Sequence, residues 1–179
     1  MSSEIKEKIN SDLLSLLKNT DFKKYYGRGG SFLVTPLDEG EIFSKEMFSE
    51  DQKMFANAAY EYATTRMKPL KDDLKKLNKE LTMEIVKEWG EMGFLGVDVP
   101  EEYGGSNLDK TTAAIVVDYL AFSECSSIMV TLGAHSGIGT LPIVWYGNET
   151  QKKKYLPKLT SGEILSCYAL TEPNAGSDA

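Results

Sequence analysis

The sequence predicts a mainly α-helical protein with one strand and a loop after its last helix. Three observations predict it. Apolar residues recur at three- and four-residue spacing through most of the 179 positions. Two helical patterns open on a capping-box spacing, Ser49 with Gln52 and Asn148 with Gln151. Only one run, Glu163–Leu170, reads convincingly as a strand, and it comes near the end. The expected organisation is an amphipathic helix and extended arm over 1–45, a helical domain over 46–160, and the start of a β element over 161–179.

Residues 4–18 put Ile5, Ile9, Leu13, Leu16 and Leu17 on one helical face. The charges between them mix both signs, which fits docking onto the protein body better than lying on a membrane. Gly27, Gly29 and Gly30 then break the chain. Ser31–Lys45, with Pro36 and Gly40, has little periodicity and reads as an extended arm or linker. After Ser49 a helical pattern resumes, with Met54, Phe55, Ala58, Ala59 and Tyr62 on one face. Pro69 predicts a kink or break near residue 68. From Arg66 to Glu91, seven basic and six acidic residues flank a stripe of Leu74, Leu77, Leu81 and Ile85. That balance of signs describes a solvated helical face, not a polyanion site. A helix restarting near Thr82 runs through Trp89 and ends between Gly90 and Gly96.

Gly93–Gly105 is too rich in Gly and Pro for an element interior and reads as a turn. Asp109 or Thr111 caps the next helix, which carries Ala114, Val117 and Ala121. Ile128–Trp145 is almost uncharged, as a helix buried on several sides would be. The capping box at Asn148 opens a helix over Thr150–Leu159, which Gly162 ends.

Twenty basic against 27 acidic residues give a net charge of -7, which argues against a nucleic-acid binder. Cys125 and Cys167 lack metal or redox spacing and read as two reduced, buried thiols. A single histidine, His135, cannot build a His-rich metal site, and a lone histidine on an apolar helix reads as hydrogen-bonded packing. No metal site is expected. The first ten residues lack an apolar core and carry acids early, so no signal or transit peptide is read and a cytoplasmic or other reducing compartment is expected. No run of 18 apolar residues is found, so no membrane-spanning segment is expected.

The chain closes on turn residues, Pro173, Asn174, Gly176, Ser177 and Asp178. A strand followed by such a loop leads into a partner strand, so the chain is expected to be the front part of a longer protein. The same loop is the best chemical candidate. Successive N–H groups around Ala175, Gly176 and Ser177 could cradle a phosphate oxygen, and Thr171 would offer a hydroxyl at the strand end. A plain connecting turn is the competing reading.

Tyr168–Asp178, Y-A-L-T-E-P-N-A-G-S-D, resembles the flavin-binding signature of the acyl-CoA dehydrogenases. Three further blocks agree in order and spacing: Met92–Gly105, Leu132–Gly139 and Gly147–Glu163. Ser31–Val34 resembles the segment leading into the helical domain of very-long-chain-type members. The likeness covers most of residues 31–179, and 1–30 contribute little to it.

The resemblance implies the N-terminal helical domain of that fold, with the first strand and loop of its central β domain. It implies an FAD enzyme that oxidises an acyl-CoA thioester to the trans-2-enoyl-CoA in fatty-acid β-oxidation. In the family a carboxylate base removes the α proton, the β hydride goes to the flavin, and electrons leave to an electron-transferring flavoprotein; members are homo-oligomers. Carried over by position, Tyr168, Ala169, Leu170, Thr171, Gly176 and Ser177 would line the FAD, and Ser177 would also sit by the acyl-CoA. The run Ile128–Gly139 would flank the acyl chain, with Gly133, Ala134, Gly137 and Gly139 leaving room for a long tail, although close helix packing is the preferred reading of these small residues. The family's catalytic base lies in a C-terminal bundle beyond the resemblance, so no catalytic residue is assigned here. Glu172 reads instead as a brace for the loop, and these residues alone are expected to be inactive. Two other readings compete: an acyl-CoA oxidase-like flavoenzyme, and a non-catalytic helical interaction module.

Overall fold

The computed structural model describes residues 43–177 together with Ser15. The expected helix over 4–18 and most of the arm lie outside the described residues. The chain divides after Met47. Before that division the described residues, besides Ser15, lead into a 3-10 turn, Lys45–Met47, where the Ser44 hydroxyl donates to Glu46 at 2.6 Å.

The second unit is a set of packed helices. Helix α1, Glu50–Tyr62, starts at Ser49 with the capping box in both directions: Gln52 N–H donates to Ser49 Oγ at 3.2 Å, and Ser49 N–H donates to Gln52 Oε1 at 3.0 Å. Its buried face is Ala56, Ala59 and Tyr62, whereas Met54 points outward. Regular α geometry ends well before Pro69: Ala63–Met67 is a π turn and Lys68–Leu70 a 3-10 turn. Pro69 has no N–H to give, and the altered winding carries the chain past it.

Helix α2, Lys71–Lys75, buries Leu74. Leu77, expected on the apolar stripe, stands 77% exposed in the left-handed region (φ 58), so the stripe is broken there. The next helix, α3 (Lys79–Glu91), starts three residues before the expected Thr82, because Asn78 Oδ1 accepts the Leu81 N–H at 3.1 Å. Ile85, Val86 and Trp89 are its buried face.

The segment between α3 and the next helix is a closed loop, not merely a turn. Ser106 N–H donates to Gly96 O, Asn107 N–H to Val99 O and Leu108 N–H to Val97 O, at 2.8 to 2.9 Å. Those bonds fold Phe94, Leu95, Val97 and Val99 inward, all fully buried. Helix α4, Lys110–Leu120, is capped by Asp109, which accepts both the N–H and the hydroxyl of Thr112 at 2.7 Å. Helices α1 and α4 pack along one another.

A long helical stretch follows: α5 (Ser126–Leu132), a π-helical segment (Gly133–Gly139) and α6 (Leu141–Tyr146). By length and composition, Ser126–Tyr146 could cross a membrane, contrary to the expectation from apolar runs alone. The expected burial on several sides is not seen: Ile128, Leu132, His135 and Thr140 are buried on one side, whereas Val130, Ile138, Trp145 and Tyr146 are exposed. Finally α7, Glu149–Thr160, opens on the second capping box and ends at Gly162 in the left-handed region (φ 72).

The main core gathers Trp89, Met67, Ile85, Phe94, Leu120 and Leu132; a smaller one joins Val99 and Tyr103 to Leu156 and Leu159. The Tyr103 hydroxyl donates to Glu149 at 2.9 Å, tying the closed loop to the start of α7. The expected strand Glu163–Leu170 is not formed: it has no ladder partner among the described residues. The sole β bridge among them joins Glu172 to Ala175. A strand needs a neighbour to hold its backbone groups, and sequence pattern alone supplies none.

Candidate functional site

Three features converge on the π-helical segment. The first is His135, 1% exposed, which bonds through both ring nitrogens. Nε2 lies 3.0 Å from Leu159 O, and a carbonyl only accepts, so Nε2 carries the proton. Nδ1 then accepts the Ser166 backbone N–H at 3.1 Å, and the Ser166 hydroxyl lies equally close. The imidazole is therefore neutral and fully used. Burial pushes its pKa below the ordinary range, partly opposed by the bond to Leu159.

The π winding has a visible purpose at this position. The His135 carbonyl accepts from Thr140 N–H (3.0 Å), Thr140 Oγ1 (2.7 Å) and Ser166 Oγ (3.0 Å). Gly139 has no space for a side chain, since a Cβ there would overlap the Ser166 hydroxyl. Ser166 is thus held by histidine, threonine and a bare glycine backbone.

The second feature is the strip that Ser166 anchors. Tyr168, Ala169, Leu170 and Thr171 are all exposed, Tyr168 by 56% and Leu170 by 47%. Beyond them Glu172 and Ala175 exchange two backbone bonds, Glu172 N–H to Ala175 O at 2.8 Å and the reverse at 3.2 Å. Pro173 and Asn174 form the turn between them. Glu172 does brace the loop, as expected, and its backbone does so. The expected anion cradle loses one member, because the Ala175 N–H is committed to this turn. Gly176 and Ser177 follow, exposed, with open space where a Gly176 side chain would be.

The third feature is an apolar cleft of about 280 Å³ lined by Phe94, Leu95, Val117, Leu141, Gly133 and Gly137. Among the described residues a Cβ at either glycine would meet nothing within 4 Å, so the expected close packing holds at Gly139 but not at Gly133 or Gly137. The polar part of the lining is Asp98, Lys110 and Ser136. Lys110 pairs with Asp98 and lies 4.9 Å over the Trp145 ring. One π-helical segment therefore borders the cleft through Gly133, Ser136 and Gly137, and anchors the strip through His135 and Gly139.

Chemically, the strip offers exposed apolar and aromatic surface beside the hydroxyls of Thr171 and Ser177. That suits a flat, partly polar ring system and not a metal. Among the described residues no three His, Cys, Asp or Glu side chains converge on a metal-sized site. Cys125 is buried, as expected, against Lys71 O and Ser127, whereas Cys167, expected to be buried, is exposed because the segment turns outward after Ser166. The six residues assigned to the cofactor by resemblance all lie on one exposed segment. Sequence reasoning did not single out Ser166 and Thr140; the only signal was a hydroxyl residue on each side of the histidine's reach.

The sequence profile described as acyl-CoA dehydrogenase, N-terminal domain, matches residues 49–163. A probable acyl-CoA dehydrogenase of Bacillus subtilis (strain 168) is 45% identical over 152 residues, covering 85% of this chain and 25% of that protein. The mitochondrial very long-chain specific acyl-CoA dehydrogenase of Macaca fascicularis is 42% identical over 111 residues, 62% of this chain and 16% of that one. Among solved structures, the acyl-CoA dehydrogenase complexed with FAD from Bacillus anthracis aligns with a TM-score of 0.73 at 47% identity, covering 84% of this chain and 26% of that one. The chain spans about a quarter of the length of the first of these relatives.

Proposed function

Because the chain belongs to the acyl-CoA dehydrogenase family and carries the N-terminal helical domain of its fold, we propose that it serves FAD-dependent oxidation of an acyl-CoA thioester to the trans-2-enoyl-CoA. In this reading the chain is the front part of the enzyme, supplying one wall of the acyl cleft and one edge of the flavin site. The observation that carries the proposal is the exposed strip: Tyr168–Thr171 follows directly on Ser166, whose N–H the buried His135 holds, and its side chains stand exposed.

FAD, when bound, supplies the acceptor for the hydride leaving the β carbon. The chain's residues do the rest of what is assigned here. Backbone groups near Leu170 and the Thr171 hydroxyl offer hydrogen bonds to the ring system, which adjust how readily it accepts electrons. Gly176 would let the backbone approach the bound cofactor closely, and Ser177 would offer a hydroxyl to its pyrophosphate and to the thioester. Gly133 and Gly137 leave room for an acyl tail and Phe94, Leu95 and Val117 give it an apolar wall. The α-proton base belongs to another part of the enzyme, so these 179 residues alone are inactive in this proposal. Electron-transferring flavoprotein is the proposed acceptor, and a homo-oligomer the proposed assembly.

The test is turnover of saturated acyl-CoA by the full enzyme, following enoyl-CoA with either electron-transferring flavoprotein or oxygen as acceptor. Enoyl-CoA with the flavoprotein supports a dehydrogenase. Enoyl-CoA only with oxygen, accompanied by peroxide, supports an oxidase. No enoyl-CoA with either overturns the proposal.

A further inference from the structure

We propose that His135 is a positioning residue for the cofactor strip, acting through its Nδ1 acceptor on the Ser166 backbone. This rests on the flavin reading of Tyr168–Ser177.

The strip has no ladder to hold it among the described residues, so its orientation must come from elsewhere. Ser166 is two residues before Tyr168, and its N–H points into a buried imidazole whose tautomer is fixed by Leu159 on α7. The histidine thereby joins three parts of the fold: the π-helical segment it belongs to, the end of α7, and the strip. A backbone N–H held by a fixed acceptor sets the direction in which the following residues leave the helical body. The Ser166 hydroxyl repeats the restraint through the His135 carbonyl, 3.0 Å away, and Thr140 closes the group at 3.3 Å. Any buried histidine needs both ring nitrogens paired, so the role lies in what each nitrogen faces. Here each nitrogen faces a different element, and the one facing the strip is the acceptor.

The two nitrogens can be separated by substitution. In His135→Asn the side-chain oxygen can occupy the Nδ1 place and keep the acceptor, while the donor to Leu159 is lost. In His135→Gln the amide nitrogen can reach Leu159, while the acceptor to Ser166 is lost. Each variant gives up one buried hydrogen bond and Asn also leaves the larger cavity, so a purely structural histidine makes His135→Asn at least as disruptive as His135→Gln.

Two quantities are measured: amide exchange over Ile164–Thr171 in this chain, and retention of FAD by the holoenzyme. The positioning role predicts that His135→Gln speeds exchange at Ser166 and its neighbours and weakens FAD retention by about tenfold each, whereas His135→Asn stays within about twofold of wild type. If both histidine variants fail to fold, Gly139→Ala displaces Ser166 with His135 intact and must reproduce the His135→Gln pattern. His135→Asn as disruptive as His135→Gln, or more so, overturns the proposal, and so does faster exchange with unchanged FAD retention. A wild-type enzyme that holds no FAD removes the functional reading and this role together; the exchange contrast then shows whether the anchor itself is real.

Discussion

Gly105 lies directly against the backbone of Val99: a Cβ on Gly105 would overlap the Val99 carbonyl. This contact closes the loop between α3 and α4, whose bonds from Ser106, Asn107 and Leu108 bury Phe94, Leu95 and Val97. Gly105→Ala therefore forces the loop open. It should destabilise the domain by about 1–3 kcal/mol, read from the denaturant midpoint, with the slope of the transition unchanged. A midpoint equal to wild type would show that the loop yields freely.

Ser123 gives the opposite expectation. Its hydroxyl is fully buried and has no hydrogen-bond partner among the described residues. Ser123→Ala removes a polar group left unpaired, so stability should be unchanged or rise by up to about 1 kcal/mol. A loss beyond about 1 kcal/mol in a thermal or chemical melt would mean the hydroxyl is satisfied.

Stability should fall with acid in two stages. His135 has a pKa lowered by burial from the ordinary 6.5, so the unfolded chain binds its proton first. Its contribution is complete above that value and declines as pH drops toward the lower folded value. Glu124, paired with Lys68 and Lys71, is held down to about 2 from an ordinary 4.5. Its contribution is complete above 4.5 and fades as pH falls from there toward 2. Denaturant unfolding across pH 8 to 4 should show the first decline in wild type and a flatter profile in His135→Asn. The same slope in both would remove His135 as its source.

Acyl-chain preference should depend on the two glycines of the cleft. Gly137→Leu fills space that is open in this structure. In the full enzyme it should lower kcat/KM for long-chain acyl-CoA by roughly tenfold or more relative to short-chain substrates. Equal loss across chain lengths would place the tail elsewhere.

Local chemistry made much of this fold legible. Ser49 with Gln52 and Asn148 with Gln151 are capping boxes in the structure as in the pattern, and Asp109 caps where Asp109 or Thr111 was expected. Leu77 misled because periodicity counts an apolar residue without knowing its φ, and its left-handed conformation turns it to solvent. Glu163–Leu170 misled for a different reason: β pattern is visible in sequence, but a strand is a relation between two segments. His135 was legible as hydrogen-bonded packing, yet its link to Ser166 spans 31 positions and no local pattern encodes it.

In the proposed function the chain belongs to an enzyme whose FAD takes electrons from an acyl-CoA. Anaerobic titration of the flavin-loaded full enzyme with a saturated long-chain acyl-CoA tests it most directly. The account predicts bleaching of the flavin's visible absorbance together with one trans-2-enoyl-CoA per flavin reduced. A spectrum that stays oxidised, with the acyl-CoA recovered unchanged, would contradict it.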